Sequence, residues 1–162
     1  MRKTRPTIKT EDLNFWFKTT GVRYDSYLSN CEEKIKEIKS FDKEFDIDYS
    51  GVELNDCQCP NVLEFLLEKP EVQTNINKFG HDGSTPLFSS NSIMFSNINY
   101  LRSRLNGNIR LNVFETLQLS EQIKLSIECS RILENFGGRD INTKGLPAHE
   151  SLKETFPISS KN

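Results

Sequence analysis

Two histidines are the whole imidazole complement of this chain, and each precedes a carboxylate: His81-Asp82 and His149-Glu150. A histidine beside an acid is a starting point for general acid–base catalysis, provided a nucleophile or a substrate proton lies within hydrogen-bond reach. The surrounding sequence supplies no such third component. Ser89-Ser90 and Ser159-Ser160 lack the G-x-S-x-G context that exposes a catalytic serine. Gly137-Gly138 belongs to no phosphate-binding G-x-x-x-x-G-K-[S/T] and reads as a helix stop. Cys57-Gln58-Cys59 is C-x-C, and neither Cys31 nor Cys129 has a second ligand nearby, so no zinc site is expected. A disulfide framework would be unusual in a chain of this size without a signal peptide, so the four cysteines read as reduced thiols, some of them core fillers. The expectation is a chain with no catalytic residue, no metal and no cofactor; it is not read as an enzyme.

Composition is ordinary for a polar-surfaced globular chain. The chain has 162 residues, enough for one domain with a real core, with 35% hydrophobic and 27% charged residues. A net charge of −2 and a pI near 5.8 give no support for nucleic-acid binding or for adhesion to anionic membrane. The basic residues Arg2, Lys3, Arg5 and Lys9 read as a solvated, fraying end. No apolar run is long enough to cross a bilayer, and Glu11, Asp12 and Asn14 break up any hydrophobic signal segment. A cytosolic protein is expected, or one delivered to a host cytosol without a classical signal peptide.

The elements that must position any functional group are helices. Asn61–Lys69 has the apolar spacing of an amphipathic helix, and Ile35–Phe41, Ile98–Leu105 and Ile127–Phe136 repeat the pattern. Asp82-Gly83 is a tight-turn pair, because glycine supplies the positive φ such turns require. Thr85 is placed to cap a following helix, and Pro86 suits the first helical position, where its missing N–H costs nothing. Thr116 is the expected cap of a later helix, and Gly145-Leu146-Pro147-Ala148-His149 offers another turn-to-helix junction. The run Glu32–Lys39 alternates charge around helical apolar positions and reads as a solvated face.

A recurring marker sets a period. Asp46-Ile47-Asp48, Asn75-Ile76-Asn77, Asn108-Ile109-Arg110 and Asp140-Ile141-Asn142 each follow a helical segment, with isoleucines 29, 33 and 32 residues apart. Together with Asp82-Gly83-Ser84-Thr85-Pro86-Leu87, this resembles the ankyrin repeat, whose period is near 33 residues. The resemblance covers roughly residues 35–155 and rests mainly on 61–88 and 116–142. It implies an all-α fold, a short helical solenoid of about three to four repeats over residues 35–156. Residues 1–34 would be a tail and helical cap, built around a helix over 10–18 with Leu13, Trp16 and Phe17 on one face. Residues 157–162 would be a tail. Breaks are expected near 46–50, 75–84, 106–115 and 138–146, and Leu66 and Leu133 should be core residues.

The same resemblance implies function. Members of that family bind proteins through loop tips and a concave face of first helices, and carry out no chemistry. Carried onto this chain, the partner-binding set is Tyr49, Lys78, Phe79, His81, Asp82, Arg110, Asn112 and Lys144, with Phe79, His81 and Arg110 on neighbouring tips. His149 would hold the place of the family's structural histidine, supporting the adjacent loop. The expected partner is another protein, with no nucleic acid and no membrane insertion, and no oligomeric state is specified. An effector or a toxin-neutralising immunity protein would suit such a chain; a structural or assembly subunit is the alternative.

Overall fold

The computed structural model describes residues 6–9, 27–55, 57–107, 110 and 112–155. Among them the chain is mostly helical. Strand β1 (Thr7–Lys9) is followed by helix α1 (Tyr27–Glu44), strand β2 (Asp46–Asp48) and a 3-10 turn (Tyr49–Gly51). Helices α2 (Pro60–Leu67), α3 (Pro70–Thr74), α4 (Pro86–Asn106), α5 (Val113–Asn135) and α6 (Ala148–Thr155) complete the order. Breaks fall near the four expected places, but the first extends to residue 59 and an unexpected one at Glu68-Lys69 separates α2 from α3.

Local chemistry explains most boundaries. Pro60, Pro70 and Pro86 each open a helix, where a missing N–H leaves nothing unsatisfied. Thr85 caps α4 by accepting the Phe88 N–H at 3.3 Å. The cap of α5 is Asn112 rather than Thr116. Asn112 Oδ1 accepts the Glu115 N–H at 2.7 Å, an N-cap bond, while its Nδ2 donates to Glu115 Oε1 at 3.2 Å. Thr116 instead turns its hydroxyl back to the Asn112 carbonyl.

The core lies between α1, α2 and the second half of α5. Val62, Leu63, Leu66 and Leu67 of α2 are fully buried, and Ile38, Leu125, Cys129 and Leu133 pack with them. Thus Leu66 and Leu133 are core residues, as the helical spacing required. Burying apolar side chains of this size contributes about 1.5–3 kcal/mol each.

Three expectations are corrected here. The basic N-terminal stretch does not fray throughout: β1 pairs parallel with β2, Ile8 against Ile47, and Asp46 N donates to the Pro6 carbonyl at 2.8 Å. Cys31 and Cys59 are joined by a disulfide, their Cα atoms 5.3 Å apart, which ties α1 to the residue preceding α2; Cys57 and Cys129 are buried thiols. The helices flanking the third marker are not the short pairs of the expected repeat, and Asn108 and Ile109 of the marker lie outside the described residues. Residues 86–135 form one long helical hairpin, α4 antiparallel to α5, joined through 107–112. The expected cap helix over 10–18 lies outside the described residues, and α1 runs through the expected boundary at residue 34.

Truncation of the core supplies the direct check. Leu66→Ala and Leu133→Ala should each lower the unfolding free energy by roughly 2–5 kcal/mol, read from urea midpoints. Midpoints equal to the parent's would show that neither residue is in the core.

Candidate functional site

Two turns govern the arrangement of loops at one end of the molecule. In the first, Gly80 N donates to Ser84 O at 2.9 Å and Gly83 N to Gly80 O at 3.0 Å. In the second, Asn142 N donates to Leu146 O at 3.0 Å and Gly145 N to Asn142 O at 2.9 Å. Gly83 and Gly145 have φ of 74° and 80°, a region that only glycine enters without strain. The two turns share one hydrogen-bond pattern, 62 residues apart, and a helix starts three residues after each of these glycines. They also touch: Thr143 N donates to Gly83 O at 2.9 Å, Thr85 N to Ile141 O at 3.2 Å, and Ser84 bridges Asn142.

Beneath them runs a buried polar seam. Asn55, on the preceding loop, is buried and donates from Nδ2 to Ser84 O at 2.8 Å, with Ser84 Oγ and Ser89 Oγ at 3.3 Å. Asp82 Oδ1 accepts from Ser84 N at 3.1 Å and Ser84 Oγ at 2.7 Å. The Thr85 hydroxyl donates to the Arg139 carbonyl. Asn77 clamps the far loop, donating to Gly137 O at 3.1 Å and accepting from Arg139 N at 2.7 Å. Asn91 Nδ2 reaches Asp140 Oδ2 at 2.8 Å, and Asp140 Oδ1 accepts the Ala148 N–H at the start of α6. Each buried polar group has a partner, so the seam fixes the loops without a desolvation penalty left over.

Over this seam opens a cleft of about 490 Å³, walled by residues 51–55 on one side and 78–81 on the other. Phe79 sits on its rim with 45% of its surface exposed. The His81 side chain is almost wholly in solvent, its Nε2 3.9 Å from Glu53 Oε2, while its backbone N donates to Glu53 Oε1 at 3.1 Å. Gly80 admits this approach. A Cβ there would lie 2.6 Å from Glu53 Oε1 and 2.7 Å from Asn55 Nδ2. An aromatic face, the Lys78 ammonium and an imidazole over a carboxylate can grip a mixed apolar and charged surface. No nucleophile stands beside His81 in these contacts.

The expected site residues divide into three groups. Lys78, Phe79, His81 and Asp82 share the first turn, and Lys144 lies on the second, so these five are brought together. Of them, Asp82 spends its carboxylate on the seam and acts as scaffold. Arg110 and Asn112 are not neighbours of this end: α4 has 21 residues, which at 1.5 Å each carries the chain about 30 Å away. Tyr49 is no surface contact. It is buried at 3% exposure, donates to Asp42 Oδ1 at 2.7 Å, packs edge-on against Phe65 and lies under the Lys69 ammonium. Burial first, then the Asp42 hydrogen bond and charge, raises its phenol pKa far above 10. His149 does not support a loop either; its side chain is 56% exposed and pairs with Glu150 at 3.3 Å. Glu53 and Asn55 belong to the site but carry no motif that the sequence alone would flag.

Two substitutions probe this construction. Asn55→Ala strands the acceptors it serves and should cost roughly 1–3 kcal/mol in unfolding free energy, measured by chemical denaturation. Tyr49 holds its proton in the folded state at pH values where the unfolded phenol, with its pKa near 10, has lost it. Its contribution to stability is therefore complete below pH 10 and declines as pH rises beyond it. Tyr49→Phe should flatten that alkaline decline in a urea-midpoint series against pH; an unchanged slope would refute the coupling.

No protein-family model matches this chain, and no solved structure does. It is similar to an uncharacterized protein of Acanthamoeba polyphaga mimivirus, 27% identical over 59 residues. That stretch is 36% of the chain and 19% of the relative, so the chain spans about a fifth of that protein's length.

Proposed function

We propose that the chain is a protein-binding module of the ankyrin-repeat kind, gripping its partner with the rim of the 51–55/78–81 cleft and the adjoining turn at 142–146. Phe79 carries the reading. It is a large aromatic held in solvent on a loop that glycine geometry and a buried polar seam prevent from folding away. Aromatic side chains on preordered loops supply a large share of interface energy, because little entropy is lost when they dock. Lys78, His81 and Lys144 add charge and hydrogen-bonding capacity around it. The repeated turn, followed in its first copy by a threonine-capped, proline-started helix, supports the resemblance to ankyrin repeats, with a hairpin of elongated helices between the two turns. An effector or immunity role is a use to which such a surface could be put.

The test begins with affinity capture from native lysate and identification of what is retained by mass spectrometry. Phe79→Ala should keep the parent's urea midpoint and weaken partner binding by at least about 1 kcal/mol, the threshold for an interface hot spot. Arg110→Ala, at the far end of the hairpin, should bind like the parent. A partner held equally well by Phe79→Ala, His81→Ala and Lys144→Ala would remove this face as the binding site.

A further inference from the structure

The α4–α5 hairpin outgrows the core in which it is rooted. The core takes Leu87 from the start of α4 and Leu125, Cys129 and Leu133 from the second half of α5. Between residues 91 and 118 no described residue is buried. Five of the eight large apolar side chains exposed among the described residues gather at this end: Tyr100, Leu105, Val113, Phe114 and Leu117. Val113, at 77% exposure, and Leu117, at 63%, lie one helical turn apart, with Phe114 beside them. Apolar surface concentrated in this way marks an interaction site. Two helices standing out from a domain cannot cover their own apolar stripes, which is why such pairs are completed by further helices.

Charge indicates which further helices. Helix α4 contains no acidic residue, and its two arginines, Arg102 and Arg104, lie near its C-terminal end. Helix α5 opens with Glu115 and Glu121 and has no basic residue before Lys124. Within one chain Arg104 and Glu115 already approach to 3.9 Å. A surface that is basic on one helix and acidic on its neighbour is complementary to itself. A two-fold axis lays α4 of one copy across α5 of the other, so opposite charges meet twice. A partner of single sign would be attracted to one helix and repelled by the other.

We propose that the chain forms a two-fold homodimer through the distal halves of α4 and α5, closing a four-helix bundle over Phe114 and Leu117 of both copies. The interface is at the opposite end of the hairpin from the 78–84 loop, and the proposal does not depend on the function assigned to that loop.

Sedimentation velocity on the full chain, over a wide concentration range at low salt, tests it. The parent should sediment as a species of twice 18.7 kDa. Leu117→Lys should weaken self-association by at least about tenfold while the helical circular dichroism is retained. Arg102→Glu cancels the net positive charge of α4 and sets a carboxylate against Glu121 of the other copy, and Glu121→Lys cancels the net negative charge at the start of α5 and sets an ammonium against Arg102. Each alone should dimerise less than the parent, and a mixture of the two should regain dimer as the heterodimer. That mixture decides the matter even if Leu117→Lys disturbs the fold. A parent that stays monomeric at every concentration would overturn the proposal and leave the patch to a different protein or to another part of the chain. A parent dimer indifferent to all three substitutions and to mixing would overturn it by placing the interface elsewhere.

Discussion

The arrangement depends on a buried polar seam in which every loop at one end of the molecule is hydrogen-bonded to the next. Asn55 reaches forward to Ser84 and Ser89; Thr85 reaches forward to Arg139 and Ile141; Asn77 spans to Gly137 and Arg139. Inside a protein a satisfied hydrogen bond is stronger than in water, and an orphaned one is correspondingly expensive. The seam is therefore close to all-or-none. With it intact, residues 78–84 are as well fixed as the helices they join, although no large apolar side chain anchors them. Phe79 and His81 can stay in solvent because the backbone beneath them has its bonds elsewhere.

The same constraint divides labour along the hairpin. At the seam end, small hydroxyl residues bring α4 and α5 together: Ser90 Oγ lies 2.8 Å from Ser130 Oγ, and Ser130 Oγ donates to Asn91 Oδ1 at 2.6 Å. These contacts are directional and fix the relative setting of the two helices. At the distal end, Tyr100, Leu105, Val113, Phe114 and Leu117 are exposed among the described residues. One end of a single element is thus a rigid platform for the loops. The other presents an exposed apolar patch among the described residues, and the proposed pairing with a second copy would place two loop platforms in one particle.

The legible parts of the sequence were those whose physics is local. Thr85 and Pro86 had to start a helix, Gly83 had to turn, and the spacing of Val62, Leu63, Leu66 and Leu67 had to bury one face. Non-local relations were harder to see. The isoleucine at position 109 fitted the period, and the Asn-Gly before it stops a helix equally well ahead of a new repeat or inside a long hairpin. Only the length of α4 and α5 distinguishes these, and with that length Arg110 leaves the site. Tyr49 stood next to a marker, yet Asp42 and Phe65, distant in type and unremarkable in sequence, draw it inward. Cys31 and Cys59 are 28 residues apart with no motif between them, and only the packing of α1 on α2 brings them within bonding distance. Asn55, which carries the seam, gives no signal at all until Ser84 is placed beside it.

Native-state amide hydrogen exchange, followed residue by residue, tests the central claim most directly. Thr85 and Thr143 donate their amides across the seam to Ile141 and Gly83, whereas Leu63 donates to Cys59 within the helical core. If the seam is part of the cooperative fold, the amides of Thr85 and Thr143 should open with free energies close to that of Leu63. Exchange of those two amides through low-energy local opening, while Leu63 stays protected, would contradict the account and make the loops mobile attachments to the helices.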